Sequence, residues 1–142
     1  MRGSQSRFAT NLERLDLRSS SAVDLERVVS SELRIAGVSL SPDAEYTLYL
    51  SNENYDRAVL TVSPVTGKVE EYTMTLTVAM SVGRRSGEEL LMNDVITFSR
   101  DYLFDEDALL GKASEEEVIR ENLRQRAAGA IIRRLNSTVN SN

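Results

Sequence analysis

The chain has no cysteine, no histidine and no tryptophan. Without thiols it can form no disulfide, no thiolate metal site and no cysteine nucleophile. Without imidazole it lacks the commonest general base near neutral pH and the commonest nitrogen ligand for metals. A serine–histidine triad and a histidine-ligated zinc centre are both impossible. These losses point away from catalysis, and no cofactor is expected. Missing disulfides do not assign a compartment, because a 142-residue domain can be held by its core alone. Lysine is scarce as well. Only Lys68 and Lys112 occur among 17 basic residues, and both fall in predicted loops. No apolar run approaches the roughly 18–20 residues a membrane-spanning helix needs. The sequence opens without a signal peptide, which is compatible with a cytosolic protein or with a mature form. The formal net charge of −5 disfavours broad nucleic-acid binding.

What is present is a patterned α/β chain. Phe8 to Leu17 alternates loosely and reads as a first strand. Ser21 and Asp24 resemble a capping box. Leu25, Val28, Val29 and Leu33 then recur at helical spacing, and Gly37 supplies the stop, predicting a helix over 22–36. After the turn at Pro42-Asp43, Tyr46, Leu48 and Leu50 share one parity, which Ala58, Leu60 and Val62 are expected to continue. The polar stretch Ser51 to Arg57 between them predicts a bulge or exposed kink. Val65-Thr66-Gly67-Lys68 is a turn.

The clearest element follows. Tyr72, Met74, Leu76, Val78, Met80 and Val82 point one way, while Thr73, Thr75, Thr77 and Ser81 point the other. Arg84-Arg85-Ser86-Gly87 closes a hairpin into a strand whose Ile96, Phe98, Tyr102 and Phe104 share a face, interrupted by Arg100. A second helix opens at Ser114, with Glu117 as capping-box partner, and buries Ile119, Leu123, Ala127, Ala130, Ile131 and Leu135. The order β-α-β-β-β-α predicts an α+β two-layer sandwich. Two helices would lie on one face of a four-stranded, mostly antiparallel sheet. Residues 1–136 read as one domain and 137–142 as a disordered polar tail.

Most chemistry-bearing clusters have a plain structural explanation. Asp105-Glu106-Asp107 could attract calcium but lacks EF-hand spacing, so a solvated strand exit suffices. Glu115 to Glu117 suit a helix start. Gly67-Lys68 and Gly111-Lys112 lack the rest of a phosphate-binding loop. Arg84 and Arg85 are a hairpin tip with some scope for anion contact. Asn136-Ser137-Thr138 matches the glycosylation sequon and reads as a chance match in a tail. Arg120, Arg124 and Arg126, interspersed with Glu116, Glu117 and Glu121, read as helical ion pairs. The hydroxyl row Thr73, Thr75 and Thr77 is a candidate partner-binding face.

Several segments carry a family resemblance. Glu71-Tyr72-Thr73-Met74-Thr75-Leu76-Thr77-Val78 resembles a strand motif of the lipopolysaccharide-assembly lipoproteins, LptE or rare lipoprotein B. So does Phe104-Asp105 followed by Ala108-Leu109, Lys112 and Val118-Ile119. Arg126-Ala127-Ala128 through Ile131-Ile132-Arg133-Arg134-Leu135 is similar to the family's last helix, and Leu33-Arg34 with Gly37-Val38 to its first helix end. Arg2-Gly3 resembles the remnant of a stretch that follows the family's lipidated cysteine.

The resemblance implies a one-to-one complex with the lipopolysaccharide-translocating outer-membrane β-barrel, with this domain as a plug in the lumen and an aid to barrel assembly. It also implies lipopolysaccharide binding, and attachment to the inner leaflet of the outer membrane through an N-terminal lipid outside this sequence. The domain would then face the periplasm. Of two basic family positions linked to lipopolysaccharide, one falls on Lys112. The other falls on Val65, which carries no charge, and Lys68 in the same turn is the substitute. Two alternatives stand beside this: a periplasmic protein-interaction module without lipopolysaccharide affinity, and a histidine-free hydrolase needing two converging carboxylates.

Overall fold

Hydrophobic alternation over Tyr72–Val82 becomes a strand paired on both sides within the sheet. In the computed structural model, which describes residues 12–104 and 112–141 with the backbone alone at 112–114, seven elements follow in order. They are β1 (Arg14–Ser20), α1 (Val23–Ile35), β2 (Ser39–Leu40), β3 (Tyr46–Val62), β4 (Val69–Arg84), β5 (Glu89–Leu103) and α2 (Lys112–Asn140). The strand order is β2-β1-β3-β4-β5. β3, β4 and β5 form an antiparallel meander, as hairpin connections require. β1 runs parallel to β3, because the chain crosses through α1 between them.

The expected two-layer α+β architecture is present, with both helices packed on one side of the sheet. The sheet itself is a mixed one of five strands where four were expected. The addition is β2, two residues long and too short to leave a periodic signal. Leu48 and Leu50 of β3, Met74, Leu76, Val78, Met80 and Val82 of β4, and Leu25, Val29 and Leu33 of α1 are all fully or nearly fully buried. α2 closes the core with Ile119, Leu123, Ala127, Ala128, Ile131, Ile132 and Leu135. Among the described residues no helix is long and apolar enough to cross a membrane.

Local chemistry explains where α1 ends and corrects how it begins. At its C-terminus the Val38 N–H donates to the Leu33 carbonyl and the Gly37 N–H to that of Arg34, with Gly37 at φ 94°. This is a Schellman closure, sealed by the buried Leu33 and Val38. At the N-terminus no side chain of the preceding residues caps the helix; Ala22 occupies that place. Ser21, expected as the cap, is turned away in a left-handed conformation at φ 58°. Glu53 of β3 substitutes for it. Its backbone N–H donates to the Ser21 carbonyl at 2.8 Å, and its Oε1 accepts from the Leu25 N–H at 3.0 Å.

That contact depends on the expected bulge. The β3–β4 pairing skips a residue between Ser51 and Asn54, with Asn52 at φ 56°. The extra residue inverts the side-chain alternation. Glu53, Tyr55 and Arg57 therefore face the helices and Ala58 does not; two further register shifts at Val59–Val62 follow, and Leu60 and Val62 do not continue the core row either. Leu60 and Val62 are in fact largely exposed.

Further boundaries move. β1 starts at Arg14, later than the loose alternation suggested; residues 8–11 of the expected strand lie outside those described. α2 spans Lys112–Asn140, so Ser114, where the helix was expected to open, sits inside it. At the other end α2 continues to Asn140, where a disordered tail was expected. Val139 packs against the core, and the Thr138 hydroxyl donates to the Arg134 carbonyl at 2.8 Å. The sequon at 136–138 is thereby helical.

Candidate interaction surface

Because α1 and α2 share one side, the opposite face of the sheet has no covering layer among the described residues. Thr73, Thr75 and Thr77 stand in its middle on β4. The Thr73 hydroxyl donates to Asp101 Oδ1 of β5 at 2.6 Å, and Thr75 Oγ1 lies 2.8 Å from Ser99 Oγ. Thr77 is flanked by Thr97 on β5 and Asn54 on β3. The row continues through Ala79 to Ser81, whose Oγ accepts the Asn93 N–H at 2.9 Å. On β1 the outward Asp16 is mostly buried and binds Arg18 Nε at 2.8 Å, with the Thr47 hydroxyl at 3.4 Å. Cross-strand hydroxyl pairs order the middle of this face, with Tyr49 and Val95 exposed beside the polar row.

The other side is closed by a polar clamp that the sequence pattern did not announce. Arg124 of α2 is 3% exposed yet carries a charge. Its Nη1 donates to the Tyr55 hydroxyl at 3.0 Å, its Nε to Glu121 at 3.0 Å, and its Nη2 to Glu117. Tyr55 in turn donates to Glu53, so one network joins the α1 cap, the bulged strand and α2. Burial first, and then the hydrogen bond to Glu53, hold the Tyr55 phenol well above its ordinary range. Burial alone would lower the Arg124 pKa; the bonds to Tyr55 and Glu121 outweigh it and raise it. Burial would likewise raise Glu121, but hydrogen bonds from Gln125 and Arg124 bring it down.

A second clamp lies nearer the start of α2. Glu116 accepts from Arg57 Nη1 and from the Tyr102 hydroxyl, each at 2.8 Å, and the Arg57 guanidinium stacks 4.3 Å from the Tyr72 ring centre. The helical ion pairs expected for Arg124 are present. Their extension to Tyr55 was missed, since its only signal was a tyrosine inside a polar stretch.

Lys68 is exposed in the β3–β4 turn, where Gly67 adopts φ 74°. Lys112 is the first residue of α2. The Phe104 N–H donates to the Glu70 carbonyl, so the end of β5 lies at the same end of the sheet as that turn. Arg84 is held by Glu45 at 3.1 Å and Glu88 at 3.0 Å, and Arg85 Nη1 reaches the Asp43 carbonyl at 3.3 Å. Those two arginines brace a hairpin. Glu116 and Glu117 face different arginines and do not converge as a carboxylate pair. Asp105, Glu106 and Asp107 lie outside the described residues.

The helices cover one face of the sheet and leave the other open, and no acid–base pair converges among the described residues. The chain belongs to the LptE lipopolysaccharide-assembly family, whose sequence model matches residues 12–135. Rare lipoprotein B from Shewanella oneidensis shares 30% identity with it over 90% of this chain and 97% of that one, at a TM-score of 0.80. An uncharacterized lipoprotein B from Nitrosomonas europaea (21% identity, 95% and 89% covered, TM-score 0.75) has the same fold. So does a minor lipoprotein from Acinetobacter baumannii (24% identity, 90% and 93% covered, TM-score 0.73).

Proposed function

We propose that this chain works at the outer membrane as a non-enzymatic lipoprotein that plugs the lipopolysaccharide-translocating β-barrel, helps it assemble, and binds lipopolysaccharide on its way to the cell surface. The observation that carries the docking is the uncovered face of β3, β4 and β5, where Thr73, Thr75 and Thr77 present hydroxyls already ordered by Asp101 and Ser99. Such a face loses little on meeting the polar interior of a barrel, because hydroxyls can donate or accept as the partner demands. An apolar face would favour aggregation; a strongly charged one would require matched counter-charges.

Lipopolysaccharide would be held by ionic contact between its lipid A phosphates and Lys68 and Lys112. The Phe104 N–H bond to Glu70 sets the end of β5 beside the end of β4 that follows the Lys68 turn, and Tyr102 bonds Glu116 in the first turns of α2, which supports pairing the two lysines. A lipid at the N-terminus would attach the protein to the inner leaflet, with the domain facing the periplasm and the barrel lumen.

Co-expression of the full-length lipidated protein with its own organism's barrel, followed by purification in detergent, tests the docking. A stable equimolar complex is expected. Its absence, with both proteins folded, would reduce the chain to a periplasmic interaction module. Titration with lipopolysaccharide tests the ligand. Saturable, salt-sensitive binding is expected, weakened in a Lys68→Glu/Lys112→Glu variant. Equal binding by that variant would remove the two lysines from the site.

A further inference from the structure

The open face is not uniform. Towards the β4–β5 hairpin it sinks into a depression of about 300 Å³. Its origin is a missing side chain beside a bulge. Gly83 lies between Thr47 of β3 and Glu89 of β5 in the cross-strand register, so the row is interrupted there. The β4–β5 pairing shifts on both sides of Val82, and Asn93 adopts φ 47°. A Cβ added at Gly83 would come within 3.3 Å of the Glu88 carbonyl, so the gap is also closely bounded by backbone.

We propose that this depression is a socket for one basic side chain, arginine or lysine, projecting from the docked partner protein. The proposal rests on the docking reading above and names a contact within it. Three features carry it. The walls include Tyr49 and Met92, which are 39% and 60% exposed, an aromatic face and a flexible thioether for an aliphatic stem.

The second feature is charge. Glu89 is the one ionisable carboxylate lining the depression, and it makes no side-chain hydrogen bond or ion pair with any described residue. The nearby cation Arg84 is already engaged by Glu45 and Glu88. A carboxylate without a counter-charge at the edge of a partly apolar hollow favours a cation that brings its own hydrocarbon stem. Arginine has the further advantage of stacking on the Tyr49 ring.

The third is size. The volume sits at the bottom of the roughly 300–1,000 Å³ range of small-molecule sites. An inserted side chain fits it better than a lipid or a glycan.

The test uses the detergent-purified complex of the lipidated protein with its barrel and reads the dissociation rate. Glu89→Arg is expected to speed dissociation about tenfold or more, and Glu89→Gln by a smaller factor. Both should also flatten the salt dependence of the wild-type complex. The unfolding midpoint of the isolated domain should stay unchanged, because Glu89 has no partner within the described chain. A wild-type complex that forms and dissociates no faster with Glu89→Arg overturns the socket and leaves the docking intact. Failure of the wild-type chain to form any complex overturns the docking reading, and the socket with it.

Discussion

Arg124 of α2 donates a 3.0 Å hydrogen bond to the Tyr55 hydroxyl of β3, joining residues 69 positions apart beneath the helix layer. The same hydroxyl donates to Glu53, which caps α1 through the Leu25 N–H. A single polar chain thus fixes both helices to the bulged strand.

Arg124→Ala should therefore destabilise the domain by about 2–3 kcal/mol, below the value for a fully buried pair because Glu117 is largely solvated. Urea unfolding measures it. A change within experimental error would mean that water replaces the guanidinium at no cost, and the clamp would lose its structural role.

Glu53→Ala removes a helix cap supplied by a neighbouring strand. A loss of about 1–2 kcal/mol is expected, the usual range for deleting an N-cap or a charge-assisted hydrogen bond. Amide exchange should accelerate at Leu25 and through the first turn of α1. Unaltered exchange there would show that the cap is not made in solution.

Alkaline pH should weaken the fold through its tyrosines. Burial, and then the hydrogen bond to Glu116, push Tyr102 up to about 12, and Tyr55 is raised further by burial and Glu53. A raised folded-state pKa contributes stability in full below the unfolded value of about 10. That contribution is lost as pH rises from there through the folded value. The urea midpoint should hold steady from pH 8 to about 9.5 and fall above pH 10. Tyr55→Phe, which cannot ionise, should reduce the slope. A flat profile in the wild type would contradict the assignment.

Thr75→Arg places a bulky charge in the middle of the open face. Stability should change by no more than about 0.5 kcal/mol, as for other surface substitutions. Recovery of the barrel complex should drop sharply. Leu76→Ala, one residue away on the buried face, should do the opposite in kind: a loss of about 3 kcal/mol from the cavity left behind. A complex undisturbed by Thr75→Arg would move the docking surface elsewhere.

Sequence alone determined the parts whose signal is local. The alternation of β4 assigned Met74 to the core and Thr75 to the open face, since side chains in a strand must alternate. Gly37 ended α1, because a left-handed residue is needed there and glycine adopts it without strain. The absence of cysteine and histidine closed off whole classes of chemistry, and the Glu71–Val78 segment carried the family resemblance.

Other features depend on residues far apart in the chain. The bulge at Asn52 decided that Glu53 and Tyr55 face the helices, and further register shifts at Val59–Val62 set the end of the strand, with Leu60 left exposed. α1 is capped from β3 and not from Ser21, because Ser21 turns away and Glu53 comes within hydrogen-bonding distance only once the sheet has formed. β2 exists only because β1 offers it an edge, and Ser137–Asn140 continue the helix into a stretch that composition alone marked as a polar tail. The socket at Gly83 is likewise tertiary. A glycine in a strand predicts no cavity until its neighbours Thr47 and Glu89 are brought alongside by pairing.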